Sequence, residues 1–150
     1  ASLRPWLAWA DPLPTVADFE ANAREARRQF RAGEDFRLHL FLKGTDTVVG
    51  GSGLHRPDWS VPSFEIGYWV RDRFSGQGYI TESTRAIADF AFGELRARRV
   101  EVRMSTRNTR SIRVAERAGF EREGVLRNHR RHEDGSLADT LIFSRIADRD

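Results

Sequence analysis

Residues 67–82 of this 150-residue chain read Gly67-Tyr68-Trp69-Val70-Arg71-Asp72-Arg73-Phe74-Ser75-Gly76-Gln77-Gly78-Tyr79-Ile80-Thr81-Glu82. An apolar strand leads into a glycine-containing turn, and a helix starts directly after it. Such a turn leaves backbone N–H groups to converge on an anion at the helix N-terminus. A second strand-to-helix junction follows, Thr106-Arg107-Asn108-Thr109-Arg110-Ser111. Two polar junctions of this kind in one domain's length suggest one cofactor held across both.

The length allows a single domain over residues 1–150, burying roughly two-thirds of its unfolded surface. Apolar residues make up 39% and charged residues 31%, which excludes a disordered chain. The absence of cysteine excludes disulfides, thiolate chemistry and a thiolate metal site. No 18-residue apolar run and no signal-peptide pattern occur, so a cytoplasmic location with no membrane partner is expected. The chain starts at Ala1 without a methionine, which reads as missing or processed residues. The net charge is +3, and Lys43 is the only lysine. The arginine excess reflects either anionic ligands met by planar forks or genomic base composition.

Residues 15–30 form an amphipathic helix by spacing, with Val16, Phe19, Ala23, Ala26 and Phe30 on one face. Thr15 and Asp18 form its capping box, and Gly33 ends it. Alternation predicts a strand over residues 36–42 and a second from 47 to about 54, joined as a hairpin at residues 44–46. Residues 55–62 carry two prolines and read as a loop. Phe64, Ile66, Tyr68 and Val70 alternate with Glu65, Gly67 and Trp69 in a third strand. The helix after the glycine turn presents Ile80, Ile87, Ala91 and Leu95 on one face. A fourth strand places Val100, Val102 and Met104 on one side. A helix over about residues 109–118 and a hairpin of residues 124–131 and 137–146 complete the chain. The order implies a mixed α/β sheet, with helices as the parallel crossovers.

The element order and four blocks resemble the GNAT superfamily of N-acetyltransferases, in particular the branch of the ribosomal-protein alanine N-acetyltransferases. The blocks are Glu65-Ile66-Gly67-Tyr68-Trp69-Val70, Gly76-Gln77-Gly78-Tyr79 with Glu82, Asn108 with Ser111, and Ala118-Gly119-Phe120 before Glu123-Gly124. The resemblance implies a mixed central sheet flanked by helices, lacking the family's usual first strand. It also implies acetyl-CoA as co-substrate and direct attack by an amine. Ser75 and Ile80 depart from the usual phosphate turn, and Ala115 stands where many members carry an acidic tyrosine.

By this resemblance, Trp69, Val70 and Arg71 at the strand end and Ser75, Gly76, Gln77, Gly78, Tyr79 and Ile80 in the turn bind the cofactor. Asn108 would reach the pantetheine arm, and Arg113 or Arg117 a nucleotide phosphate. Ser111 would act as general acid or simply bond the backbone of the first helical turn. Glu65 is the candidate base, or else it pairs with an arginine on a neighbouring strand. Trp6, Trp9, His55 and Glu65 are assigned to the acceptor site, although Trp6 and Trp9 could instead belong to a helix packed on the sheet. No metal is expected, since His129 and His132 lack a third ligand nearby. Arg127, Arg130 and Arg131 form either a solvated basic edge or a site for an acidic acceptor or a succinyl group.

The favoured reaction is acetyl transfer to a protein or peptide N-terminal α-amine. A small amine (an antibiotic or polyamine) is the rival acceptor, and a non-catalytic acyl-CoA sensor is the rival of another class. A specific nucleic-acid binder is not expected, because aromatic and basic residues do not interleave. Exposed sheet edges make a homodimer plausible.

Overall fold

Thr15 opens the first helix as the sequence predicts. Its N–H donates to Asp18 Oδ2 at 2.8 Å and its hydroxyl accepts from the Asp18 N–H at 3.2 Å, closing the box. The structure is a computed structural model and describes residues 15–132 and 134–147, so Trp6 and Trp9 lie outside the described residues. Along the described chain run α1 (Val16–Ala32), β1 (Phe36–Phe41), β2 (Val48–Asp58), β3 (Ser63–Val70), α2 (Tyr79–Gly93), β4 (Arg99–Ser105), α3 (Thr109–Arg117), β5 (Glu121–Arg131) and β6 (Leu137–Ile146). Gly33 ends α1 in the left-handed conformation at φ 69°. The apolar stripe of α1 is mostly uncovered by described residues: Val16 is 76% and Phe19 59% exposed. Phe30 lies edge-on to Phe36 of the core, with ring centroids 5.2 Å apart.

The six strands form one mixed sheet in the order β1-β2-β3-β4-β6-β5. Only β3 and β4 run parallel, and α2 supplies the crossover that such a pair requires. The remaining pairs are antiparallel. This is the helix-flanked mixed α/β architecture expected from the sequence.

Period-two alternation divides the strands between two faces. Phe64, Ile66, Val100, Val102, Met104, Leu141 and Phe143 are buried in one cluster with Ile87, Ala88 and Ala91 of α2 and Ala115 of α3. Glu65, Gly67, Trp69, Glu101 and Arg103 take the opposite face by the same alternation.

One prediction is corrected. Residues 55–62 are not a loop throughout, because β2 continues to Asp58 and pairs there with Ser63. The register slips between His55 and Asp58, with Arg56 at a left-handed φ of 49°. A bulge absorbs Pro57, whose missing N–H would otherwise break the ladder.

Candidate active site

The parallel pair is short. β3 and β4 are in register at Ser63–Arg99, Phe64–Val100 and Glu65–Glu101, and there the pairing between them ends. β3 nevertheless continues to Val70 on its other side, where it stays paired with β2 through Gly50. The two strands therefore diverge and leave a wedge open toward their C-terminal ends. The Arg71 N–H bonds to the Val49 carbonyl at 2.9 Å. By antiparallel alternation, the Val70 N–H then faces away from β2 and into the wedge.

The glycine turn lies at the mouth of this wedge. A 3-10 turn (Asp72–Phe74) follows Arg71, and the Gln77 amide donates to the Arg73 carbonyl at 2.9 Å. Gly76 and Gly78 hold left-handed φ values of 77° and 87°, and a Cβ at either would meet nothing within 4 Å. Conformation, not crowding, thus requires glycine there. Gly78 caps α2 without any side-chain bond, so the first-turn N–H groups have no intrahelical acceptor and point outward. Those amides and the positive end of the helix suit a pyrophosphate.

Beside the turn, an open groove of about 550 Å³ is lined by Gly78, Thr81, Glu82, Arg85, Ala86, Asp89 and Arg117. Arg85 donates to the Arg117 carbonyl and so brings a second guanidinium to this groove. The sequence pointed to Arg113 and Arg117 but not to Arg85. The helical spacing from the turn to Arg85 was the available signal.

The second junction borders the same wedge. Asn108 Oδ1 accepts from the Ser111 N–H at 3.1 Å as the N-cap of α3. The Tyr68 hydroxyl donates to the Ser111 carbonyl at 3.0 Å, joining β3 to α3. Burial pushes the Tyr68 phenol well above its ordinary range, and the bond to Ser111 offsets this only in part. Ala115 is completely buried in the core, so that position offers no proton donor to the wedge.

On the opposite sheet face the candidate base, Glu65, is held in an ion pair. Arg56 on β2 donates to Glu65 Oε2 at 2.5 Å, and Arg103 on β4 stands 3.8 Å from the same oxygen. The alternative of an ion pair with a neighbouring strand is the arrangement found. Glu65 also lies before the wedge opens, five residues and about 16 Å of strand from Val70. The network continues from Arg103 to Glu101 at 2.6 Å, from Glu101 to Arg99 at 2.8 Å and from Arg99 to Glu123 at 2.6 Å. Glu123 also accepts from the Ser144 hydroxyl at 2.6 Å, and its carboxyl is drawn down to about 2, chiefly by Arg99 and then by Ser144.

His55 is cross-strand from Glu65, but its ring is bound elsewhere. Its Nδ1 lies 2.5 Å from Asp35 Oδ1, and Asp35 Oδ2 accepts from Arg37 Nε at 3.0 Å. Sequence reasoning missed Asp35, because only the β1–β2 register carries it opposite His55. Trp69 lies against Gly51, where a Cβ would overlap the indole. The Trp69 indole thus covers Gly51, and the His55 imidazole covers Gly53 and Gly67. Among the described residues, no group of three or more His, Asp or Glu side chains is placed to hold a metal ion. Nor is any described helix long and apolar enough to cross a membrane.

A family model described as an acetyltransferase (GNAT) domain matches residues 2–121. Probable N-acetyltransferase YjcK of Bacillus subtilis (strain 168) is 31% identical over 121 residues, covering 80% of this chain and 67% of that protein. The ribosomal-protein-serine acetyltransferase of Escherichia coli (strain K12) is 29% identical over 103 residues, covering 69% of this chain and 57% of that protein. A structure of RimL, a ribosomal L7/L12 alpha-N-protein acetyltransferase in complex with coenzyme A, matches with a TM-score of 0.89 over 99% of this chain and 82% of that one. At 22% identity that likeness is one of fold. The chain spans about two-thirds of the length of the curated relatives it matches.

Proposed function

Since this chain belongs to the GNAT family of acetyl-CoA-dependent N-acetyltransferases, we propose that its acceptor is the N-terminal α-amine of a protein or peptide. The observation that carries the acetyl-transfer chemistry, as distinct from the acceptor, is the wedge: β3 leaves β4 after Glu65 and aims the Val70 N–H into the gap, with the glycine turn at its mouth. Acetyl-CoA supplies a thioester whose carbonyl an amide N–H can polarise. In this reading the amides of residues 76–80 hold the pyrophosphate. Ser75 shapes the approach to the turn, and Trp69 and Arg71 flank the Val70 amide. The Asn108 Nδ2 group meets the pantetheine arm, and Arg85, Arg113 or Arg117 meets a nucleotide phosphate.

The acceptor reading is supported by the name of the Escherichia coli relative, a ribosomal-protein-serine acetyltransferase. Basicity supports it as well. An α-amine of pKa near 8 is roughly a tenth neutral at pH 7, whereas a lysine near 10.4 is below about one part in a thousand.

The test is release of CoA thiol from acetyl-CoA and succinyl-CoA with a panel of amines. Peptides beginning with Ala or Ser, N-blocked lysine peptides, polyamines and aminoglycosides make up the panel. We expect release with acetyl-CoA and the free N-terminal peptides. Release confined to polyamines or aminoglycosides would replace the protein acceptor with a small one. Tight acetyl-CoA binding without release for any amine would favour a sensor.

A further inference from the structure

We propose that His55, oriented by Asp35, is the general base that accepts the proton of the attacking amine; this rests on the N-acetyltransferase reading above. The β1–β2 register pairs Phe36 with Leu54, which brings Asp35 opposite His55. The Asp35 carboxylate takes the Nδ1 side of the ring at 2.5 Å. With Nδ1–H held there, Nε2 is the nitrogen that carries the lone pair. Asp35 and His55 side chains are only 19% and 31% exposed, so the pair is fixed and yet reachable from the surface.

The ring is aimed by the absence of side chains beside it. A Cβ on Gly53 would lie 3.1 Å from His55 Nε2, and one on Gly67 would lie 3.4 Å from it. Nε2 therefore rests over the seam between β2 and β3. It is displaced from the level of its own cross-strand partner, Glu65, toward the open end of the wedge. From Gly67 to Val70 is three residues, about 10 Å of strand, a span that an acetyl group, an amine nitrogen and one bridging water can fill.

Other candidates are engaged or misplaced. Glu65 Oε2 is held by Arg56 and Arg103. His129 Nδ1 meets the Thr140 hydroxyl at 3.1 Å on β6, beyond β4 from the wedge. The charged groups around His55 are Asp35 and Arg37 from the β1 side, Arg56 on β2 and Glu65 on β3, with Arg103 behind them on β4.

In the step assigned to this pair, the ammonium form of the acceptor gives one proton to Nε2. Its freed lone pair forms the C–N bond to the acetyl carbon while the C–S bond breaks. The electron pair leaves on sulfur, which takes up the second proton shed by the nitrogen as it becomes an amide.

The experiment starts with wild-type protein, acetyl-CoA and the best amine of the panel. His55→Gln should lower kcat/KM about 100-fold near pH 6.5 and abolish the acid limb of the pH profile. Acetyl-CoA affinity by calorimetry should stay within a factor of two. The deficit should shrink for amines of lower pKa, which need less help. Independently of turnover, ¹⁵N NMR of the free protein should show His55 with Nδ1 protonated and Nε2 bare, a preference lost in Asp35→Asn. Gly67→Ala supplies a gentler variant, because its Cβ would press only on the imidazole, at 3.3 and 3.4 Å; it should lower kcat several-fold with an unchanged melting temperature. An active wild type with an unaltered pH profile in His55→Gln, or an unchanged kcat in Gly67→Ala, overturns the base assignment and leaves acetyl transfer standing. A wild type inactive with every amine overturns the parent reading first, and the base assignment with it.

Discussion

The Tyr68 hydroxyl on β3 donates to the main-chain carbonyl of Ser111 on α3 at 3.0 Å, across 43 residues of sequence. It ties one wall of the wedge to the helix that borders the other. Because burial keeps the phenol protonated well above its ordinary range, Tyr68 acts as a tether and not as a proton donor. Tyr68→Phe should cost about 1 kcal/mol of stability. It should raise the KM for acetyl-CoA more than it lowers kcat. Denaturant melts and steady-state kinetics check both; an unchanged KM would mean that the tether does not set the width of the wedge.

Gly78 holds φ at 87° with open space around its Cα. Gly78→Ala meets no steric neighbour, so its cost is left-handed strain of about 1 kcal/mol. Relief of that strain would rotate the amides away from the pyrophosphate. We expect acetyl-CoA affinity by calorimetry to fall roughly ten-fold, with a small change in melting temperature. Equal affinity in the variant would remove the turn from the cofactor site.

Glu65 is a strut between β2 and β4. Glu65→Gln removes the partner of Arg56 and Arg103, at a cost of about 1–2 kcal/mol for this half-buried pair. Turnover should change less than three-fold, and the pH–rate profile should keep its shape. A displaced acid limb in this variant would restore Glu65 as the base.

Glu123 links stability to pH. Its carboxyl titrates at about 2 in the folded protein against an ordinary 4.5, so the unfolded chain binds the proton first as pH falls. The stabilisation is complete above about 4.5 and is lost as pH drops toward 2. Solvent at this partly exposed side chain tempers its size. Thermal melts from pH 6 to pH 2.5 should show a flatter acid decline for Glu123→Gln than for wild type. Parallel curves would assign the acid sensitivity to other groups.

Local chemistry was legible in the residues themselves. The Thr15–Asp18 box, the left-handed Gly33 and Gly119, and the strand–turn–helix of residues 67–82 depend on neighbours within a few positions. Period-two alternation also named the buried faces of β3 and β4 correctly. The loop expected at residues 55–62 failed because a proline was read as ending the strand, whereas a bulge at Arg56 and Pro57 carries β2 past it to Asp58.

The sequence by itself therefore determined the elements, their order and the glycine turn ahead of α2, because backbone dihedral preferences and hydrophobic periodicity are written in adjacent residues. Only the tertiary structure decided where β3 parts from β4, that Asp35 meets His55 and not Glu65, and that Tyr68 reaches Ser111. Those facts depend on cross-strand register and on side chains brought together from distant segments, which no local window of residues encodes.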